Sequence, residues 1–195
     1  MFMVYELEDI VRIPPSLFGQ DIKIVAEKEL KEKYENTYDD EMGYIFLIKD
    51  VEIDPMGKIL PNDGASYHRA KFKVYSFKPQ INEVIEGEVI EITDFGVFVR
   101  IGPLDALLHI SQIMNDYIVV DTSQGLIRGK ETNRILRVGD TVRARIIAVS
   151  PPKGLSIGKV GLTSRQPYLG KMEWIEEEVG IKGKKEEKSS EKSKV

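Results

Sequence analysis

Two periodicities divide the chain. Residues 3–13 (MVYELEDIVRI) are rich in β-branched and aromatic types and predict a strand, which Pro14-Pro15 ends by removing amide donors and fixing φ. Residues 16–20 read as a short loop or helical turn. Asp21 is placed to cap a helix over about 22–35, where Ile22, Val25, Ala26, Glu29 and Leu30 approximate helical spacing and Glu27 and Lys31 stand in the favourable i,i+4 order. Residues 42–54 (MGYIFLIKDVEID) are nearly continuous in apolar character and predict a strand buried on both faces for part of its length. After a turn signal at Pro61-Asn62-Asp63-Gly64-Ala65, residues 67–77 predict a strand. It carries Tyr67, Arg69, Lys71, Lys73 and Tyr75 on one face and His68, Ala70, Phe72, Val74 and Ser76 on the other. One helix on a small antiparallel sheet is the α+β unit expected over residues 1–80.

Beyond a hinge at Lys78-Pro79-Gln80-Ile81-Asn82 the pattern becomes all-β. Strands are expected near 84–93, 95–101, 104–110, 141–149 and 155–164. Five short strands with turn residues between them predict a partly open Greek-key barrel, an OB fold, over 81–178. Residues 115–135 read as an inserted hairpin with turns at Gly125 and Gly129. Residues 171–178 read as a last helical turn or two. The tail 179–195, lysine-rich with little to bury, is expected to be disordered.

Composition narrows the chemistry. There is no cysteine, and His68 and His109 are the only histidines, so disulfides, thiolate chemistry and a metal cage are not expected. No apolar run reaches membrane-spanning length, and Met1-Phe2-Met3-Val4-Tyr5-Glu6 lacks the features of a secretory leader, which predicts a cytoplasmic protein. No nucleophile with a base and no phosphate loop emerges. The densest carboxylate cluster, Asp39-Asp40-Glu41, reads as a solvated turn, so neither catalysis nor a cofactor is expected.

The formal net charge of −4 conceals a gradient: residues 81–127 carry eight acids and one base, whereas 128–165 carry nine bases and two acids. Such asymmetry suggests faces with different partners, or a solvated surface whose signs happen to cluster. In the strand 95–101, alternation sends Val97, Val99 and Ile101 inward and leaves Phe98 and Arg100 outward, with Phe95 beside them. His109 faces outward from 104–110. On 141–149, Val142, Ala144, Ile146 and Ala148 point inward and Arg143 and Arg145 outward; on the last strand Lys159 is outward. Rings that stack bases beside cations that neutralise phosphates suit single-stranded nucleic acid. The residues alone also allow Phe95 and Phe98 to belong to the core of a tightly curled barrel, and His109 to be structural.

Four blocks, Gly87-Glu88-Val89, Asp94-Phe95-Gly96-Val97-Phe98-Val99, Asp105-Ala106-Leu107-Leu108-His109-Ile110-Ser111 and Val138-Gly139-Asp140-x-Val142, resemble the ribosomal S-one RNA-binding domain over about 83–164. Ala106 stands where that family usually has glycine, and the connection 150–154 lacks its usual acidic turn. The resemblance implies an RNA face containing Phe95, Phe98 and His109 with cations of later strands. The blocks Val11-Arg12-Ile13-Pro14-Pro15-x-Leu17-Phe18-Gly19, Pro61-x-Asp63-Gly64-Ala65-x-Tyr67-His68, Phe72-Lys73-Val74-x-x-Phe77-Lys78-Pro79 and His109-Ile110-Ser111-Gln112-Ile113-Met114-x-Asp116-Tyr117 extend it. Over about 1–178 the chain resembles the archaeal RNA polymerase stalk-subunit family of the E-prime type, similar to the seventh subunit of eukaryotic RNA polymerase II. That resemblance implies a truncated ribonucleoprotein-like N-terminal domain and a non-catalytic subunit that forms a heterodimer with the small stalk partner of the F type. It further implies docking on core polymerase through Pro14, Pro15, Leu17, Phe18, Gly19, Asp63, Gly64 and Ala65, and binding of emerging RNA by the barrel. An S-one RNA-binding protein of translation or RNA decay is the alternative; it shares the barrel but does not predict the blocks at 14–19 and 61–65.

Overall fold

In the computed structural model, which describes residues 1–152 and 158–180, the chain divides into two units, Met1–Lys78 and the residues from Pro79 onward. The first is built on an antiparallel sheet of β1 (Phe2–Ile13), β2 (Thr37–Asp39), β3 (Gly43–Ile53), β4 (Lys58–Ile59) and β5 (Ser66–Phe77). The path runs β1-β5-β3-β2, with β4 paired to β5. Helix α1 (Ile22–Tyr34) starts where Asp21 accepts a hydrogen bond from the Lys23 amide at 2.8 Å, satisfying one of the free donors of the first turn. Its Val25, Ala26 and Leu30 pack on Val11, Ile13, Ile45, Ile48, Val51, Ala70, Phe72 and Val74. The long β5 alternates as its sequence predicts, with His68, Ala70, Phe72, Val74 and Ser76 buried. Asp39–Glu41 forms the turn between β2 and β3, where Asp39 accepts from the amides of Glu41 and Met42. Strands β2 and β4 are additions to the predicted elements; at three and two residues they are too short for a period to register.

The second unit is a closed barrel. Its strands are β6 (Val84–Thr93), β7 (Gly96–Arg100), β8 (Asp105–His109), β12 (Thr141–Ser150) and β13 (Lys159–Thr163). The order is β13-β8-β7-β6-β12, and a β12–β13 pairing closes the cycle. All pairings are antiparallel except β13 on β8. Val89, Val97, Val99, Leu108, Ile146 and Leu162 fill the interior, each at most 1% exposed. One inward assignment is corrected: Ala148 is exposed. A bulge between Ile146 and Ala148 inserts an unpaired residue and moves the next side chains to the other face.

The inserted segment forms a three-stranded antiparallel sheet of β9 (Ile118–Asp121), β10 (Leu126–Gly129) and β11 (Ile135–Arg137). The β9–β10 hairpin therefore acquires a third strand. Gly129 is required there: a Cβ would collide with the carboxylate of Asp116. That carboxylate accepts from the Thr132 hydroxyl and from the Thr132 and Glu131 amides, which clasps the 130–133 turn. These bonds, the Thr132 hydroxyl first, lower the Asp116 pKa from 3.8 to about 2. A short strand β14 (Gly170–Lys171) pairs with β12 and leads into a helix over 172–180. Trp174 of this helix is buried under the Arg134 guanidinium, 5.4 Å from the ring centroid, and Glu178 pairs with the same arginine at 3.0 Å. The helix includes 179 and 180; the rest of the tail, 181–195, lies outside the described residues, as do 153–157 in the last barrel connection.

Candidate RNA and docking surfaces

The barrel's outer face begins with its rings. Phe95 is 50% exposed and Phe98 half-buried, their centroids 6.0 Å apart and their planes at 89°. Phe98 cannot turn inward, because Val97 and Val99 already occupy the interior side of β7, and Phe95 stands in the turn that precedes the strand. Gly96 brings β7 close to β8: a Cβ at this residue would lie 2.6 Å from the Leu108 carbonyl oxygen. Cross-strand pairing sets Leu107 beside Phe98 and His109 beside Gly96, so all four side chains gather at one corner. The exposed His109 caps the following 3-10 turn (Ile110–Gln112), its Nδ1 accepting from the Ser111 amide at 3.2 Å. In the neutral ring the proton then sits on Nε2. The corner offers stacking faces and an imidazole N–H, the requirements for holding an unpaired base.

The cations are arranged differently from the expected single cluster. Arg100 is outward, but its Nε binds Asp105 at 3.0 Å. Arg143 is paired with Glu86 through Nε and Nη2, at 2.9 and 2.7 Å. Arg145 donates from Nη1 to the Asn82 carbonyl, and its Nε is buried without a hydrogen-bond partner among the described residues. Register places Arg143 opposite Glu86 and Phe98 opposite Glu91, five positions apart on β6. At about 3.3 Å per residue the two pairs are separated by about 16 Å along β6. Lys159, exposed at the start of β13, pairs with Ser150. The rings, Leu107 and His109 are thus brought together; Arg143 is engaged by Glu86, and Arg145, held by the Asn82 carbonyl, is opposite Thr163 on the strand next to β8.

In the first unit, the segments 14–19 and 61–65 meet. Pro15–Leu17 forms a 3-10 turn, and Gly64 lies against Pro15, whose Cγ would be 3.5 Å from an added Cβ. Asp63 clasps the loop: it receives Arg12 Nε and Nη2 at 2.9 and 2.8 Å, the Tyr67 hydroxyl at 2.5 Å and the Ala65 amide at 3.1 Å. The Arg12 hydrogen bond is the first cause holding the Asp63 carboxyl far below its ordinary range. Phe18 is 50% exposed, whereas Leu17 packs partly into the core. Ala65 is fully buried, so it supports this loop and cannot itself meet a partner.

Sequence reasoning missed Arg12 as the partner of Asp63, Leu107 as the neighbour of Phe98, and Arg165. Arg165 follows β13 and returns to the His109 corner through a hydrogen bond to the Ser111 carbonyl at 3.0 Å. None of these follows from periodicity; each depends on tertiary register. Among the described residues no cluster of three or more His, Cys, Asp or Glu could hold a metal ion, and no helix is long and apolar enough to cross a membrane.

An OB-type barrel with an exposed aromatic corner, preceded by a one-helix α+β unit, defines a two-domain class whose barrel is of the kind that oligonucleotide-binding domains use. Family models agree with both halves: "S1 RNA binding domain" matches residues 78–159 and "SHS2 domain found in N terminus of Rpb7p/Rpc25p/MJ0397" matches 8–64. DNA-directed RNA polymerase subunit Rpo7 of Saccharolobus shibatae is 39% identical over 90% of this chain and 97% of its own length. Its counterpart in Sulfolobus acidocaldarius is 40% identical over 92% of this chain and 97% of its own. DNA-directed RNA polymerase II subunit RPB7 of Saccharomyces cerevisiae is 33% identical over 53% of this chain and 62% of its own. The chain belongs to the Rpo7/RPB7 family of DNA-directed RNA polymerase subunits.

Proposed function

We propose that the chain is an accessory, non-catalytic stalk subunit that docks on core RNA polymerase as a heterodimer with a small stalk partner of the F type and binds emerging single-stranded RNA, acting in the cytoplasm. The observation that carries the RNA reading is the ring pair Phe95–Phe98, exposed beside His109 where the barrel core leaves no room for it. Bases stack on such rings without regard to sequence, at about 1–3 kcal/mol each, which suits a transcript of any composition. Lys159 and Arg145 complete the phosphate contacts; Arg100 and Arg143 reach a phosphate only by exchanging Asp105 and Glu86. Docking is assigned to Pro14, Pro15, Leu17, Phe18, Gly19, Asp63 and Gly64, where two prolines and the Asp63 clasp keep an exposed Phe18 on a loop with little ordering cost. The proposed organisation is a docking domain over 1–80 and an RNA-binding barrel from 81 through the helix that ends at 180, with the lysine-rich tail after it. The test is native purification of the tagged chain. Core polymerase subunits and a small partner are expected to co-elute, and the absence of both refutes the reading.

A further inference from the structure

Beside the aromatic corner lies a groove of about 650 Å³, formed by the 3-10 turn after β8, the inserted sheet and the segment after β13. Ser111, Met114, Asn115, Tyr117, Glu131 and Arg165 line it. The groove is continuous with the ring patch through residues 109–111: the Ile110 amide donates to the Phe95 carbonyl at 3.0 Å, and His109 Nδ1 lies 2.8 Å from the Ser111 hydroxyl. The groove thus begins at the residues that directly follow His109.

Its two walls differ in charge. Arg165 is fixed by Nε to Asn115 Oδ1 at 2.6 Å and by Nη1 to the Ser111 carbonyl at 3.0 Å. Both acceptors are uncharged, so unlike Arg100 and Arg143 it is oriented without being neutralised by the group that orients it. Opposite, the Asp116 carboxylate, held by the uncharged donors of the 130–132 turn, and Glu131 both repel any anion placed on that side. A phosphate is consequently directed to the Arg165 wall. Tyr117, 74% exposed, supplies a ring at the rim that no core requirement explains.

We infer that this groove binds a further nucleotide of single-stranded RNA, its phosphate on Arg165 and its base against Tyr117. The inserted sheet thereby lengthens the RNA path of the barrel. The inference rests on the RNA reading above, and the experiment separates the two. Affinities of the full chain are measured for labelled single-stranded oligouridylates of about five and about twelve nucleotides, a short and a long length within the range of OB-fold site sizes. Phe98→Ala weakens both. Arg165→Gln and Tyr117→Ala each weaken the longer by about five- to tenfold and leave the shorter within about twofold. Arg165→Gln also makes the slope of log affinity against log salt shallower by about 0.7, one phosphate on a single strand. Should Arg165→Gln melt early because its loop is released, the exposed Tyr117→Ala decides. Phe98-dependent binding of the longer RNA that survives Tyr117→Ala and Arg165→Gln overturns the inference alone. No binding of either RNA by the unaltered chain overturns the RNA reading together with it.

Discussion

The two groups of residues on the barrel face make opposed contributions, and a paired substitution separates them. Replacing Phe98 by Ala removes one stacking surface and leaves Val97 and Val99 in place, so the barrel keeps its core. The fold loses the edge-to-face contact with Phe95, about 0.5–1.5 kcal/mol. RNA binding loses a base stack, about 1–3 kcal/mol, or roughly 5- to 150-fold in Kd. The companion variant exchanges Arg143 and Glu86 together for glutamine, removing a 2.7 Å ion pair without changing net charge. With side chains 33% and 51% exposed, the pair contributes at most about 1 kcal/mol to folding. Because Glu86 already satisfies Arg143, the double variant is expected to bind single-stranded RNA within about twofold of the parent, with an unchanged salt slope. Fluorescence anisotropy at several salt concentrations, with thermal melts of each variant, reads all three quantities. A double variant that loses tenfold in affinity, or flattens the salt dependence by about 0.7, would show Arg143 on a phosphate and refute the reading of it as internally paired.

Other outcomes follow from the same geometry. Phe18→Glu should abolish co-purification with core polymerase while leaving RNA affinity unchanged; normal assembly would remove Phe18 from the docking surface. Asp63→Asn, which leaves Arg12 without its carboxylate, should weaken that assembly while the barrel's melting stays as it was. Leu108→Ala, in a side chain with 0% exposure, should cost about 2–5 kcal/mol in urea unfolding of the barrel. Asp116 has a folded pKa of about 2 against an ordinary 3.8, so its clasp is fully present above pH 3.8 and is lost as pH falls toward 2. The melting deficit of Asp116→Asn relative to the parent should therefore shrink over that window, and a deficit independent of pH would mean the carboxylate charge is not what holds the 130–133 turn.

Much of the fold was legible because a two-residue period needs no tertiary knowledge. On β5 and β7 every second side chain points into a core, and alternation alone separates Phe72 from Lys71 and Val99 from Phe98. The same rule fails at Ala148, where a bulge changes the parity within one strand and nothing local announces it. The candidate site residues divide along this line. Phe98 and His109 were legible because their exposure follows from the parity of their own strands, and Phe95 because it stands in the turn beside Gly96, just before β7. Whether an outward arginine is available depends on what stands opposite it, and that is set by register. Glu86 precedes Arg143 by 57 residues and meets it only because β6 and β12 are neighbours. Asp105 meets Arg100 across the β7–β8 turn. Arg165 presents the converse case: a loop position with no period to assign it, whose guanidinium is aimed by an amide and a carbonyl contributed 50 and 54 residues earlier. The positive stretch 128–165 is thus no uniform phosphate-binding surface. Where an arginine meets a carboxylate, its charge is largely spent on the fold; where neutral groups hold it, orientation is achieved and the charge stays available. Under the proposed function, that division lets the paired arginines brace the strands and leaves attraction for a polyanion to groups beside the rings.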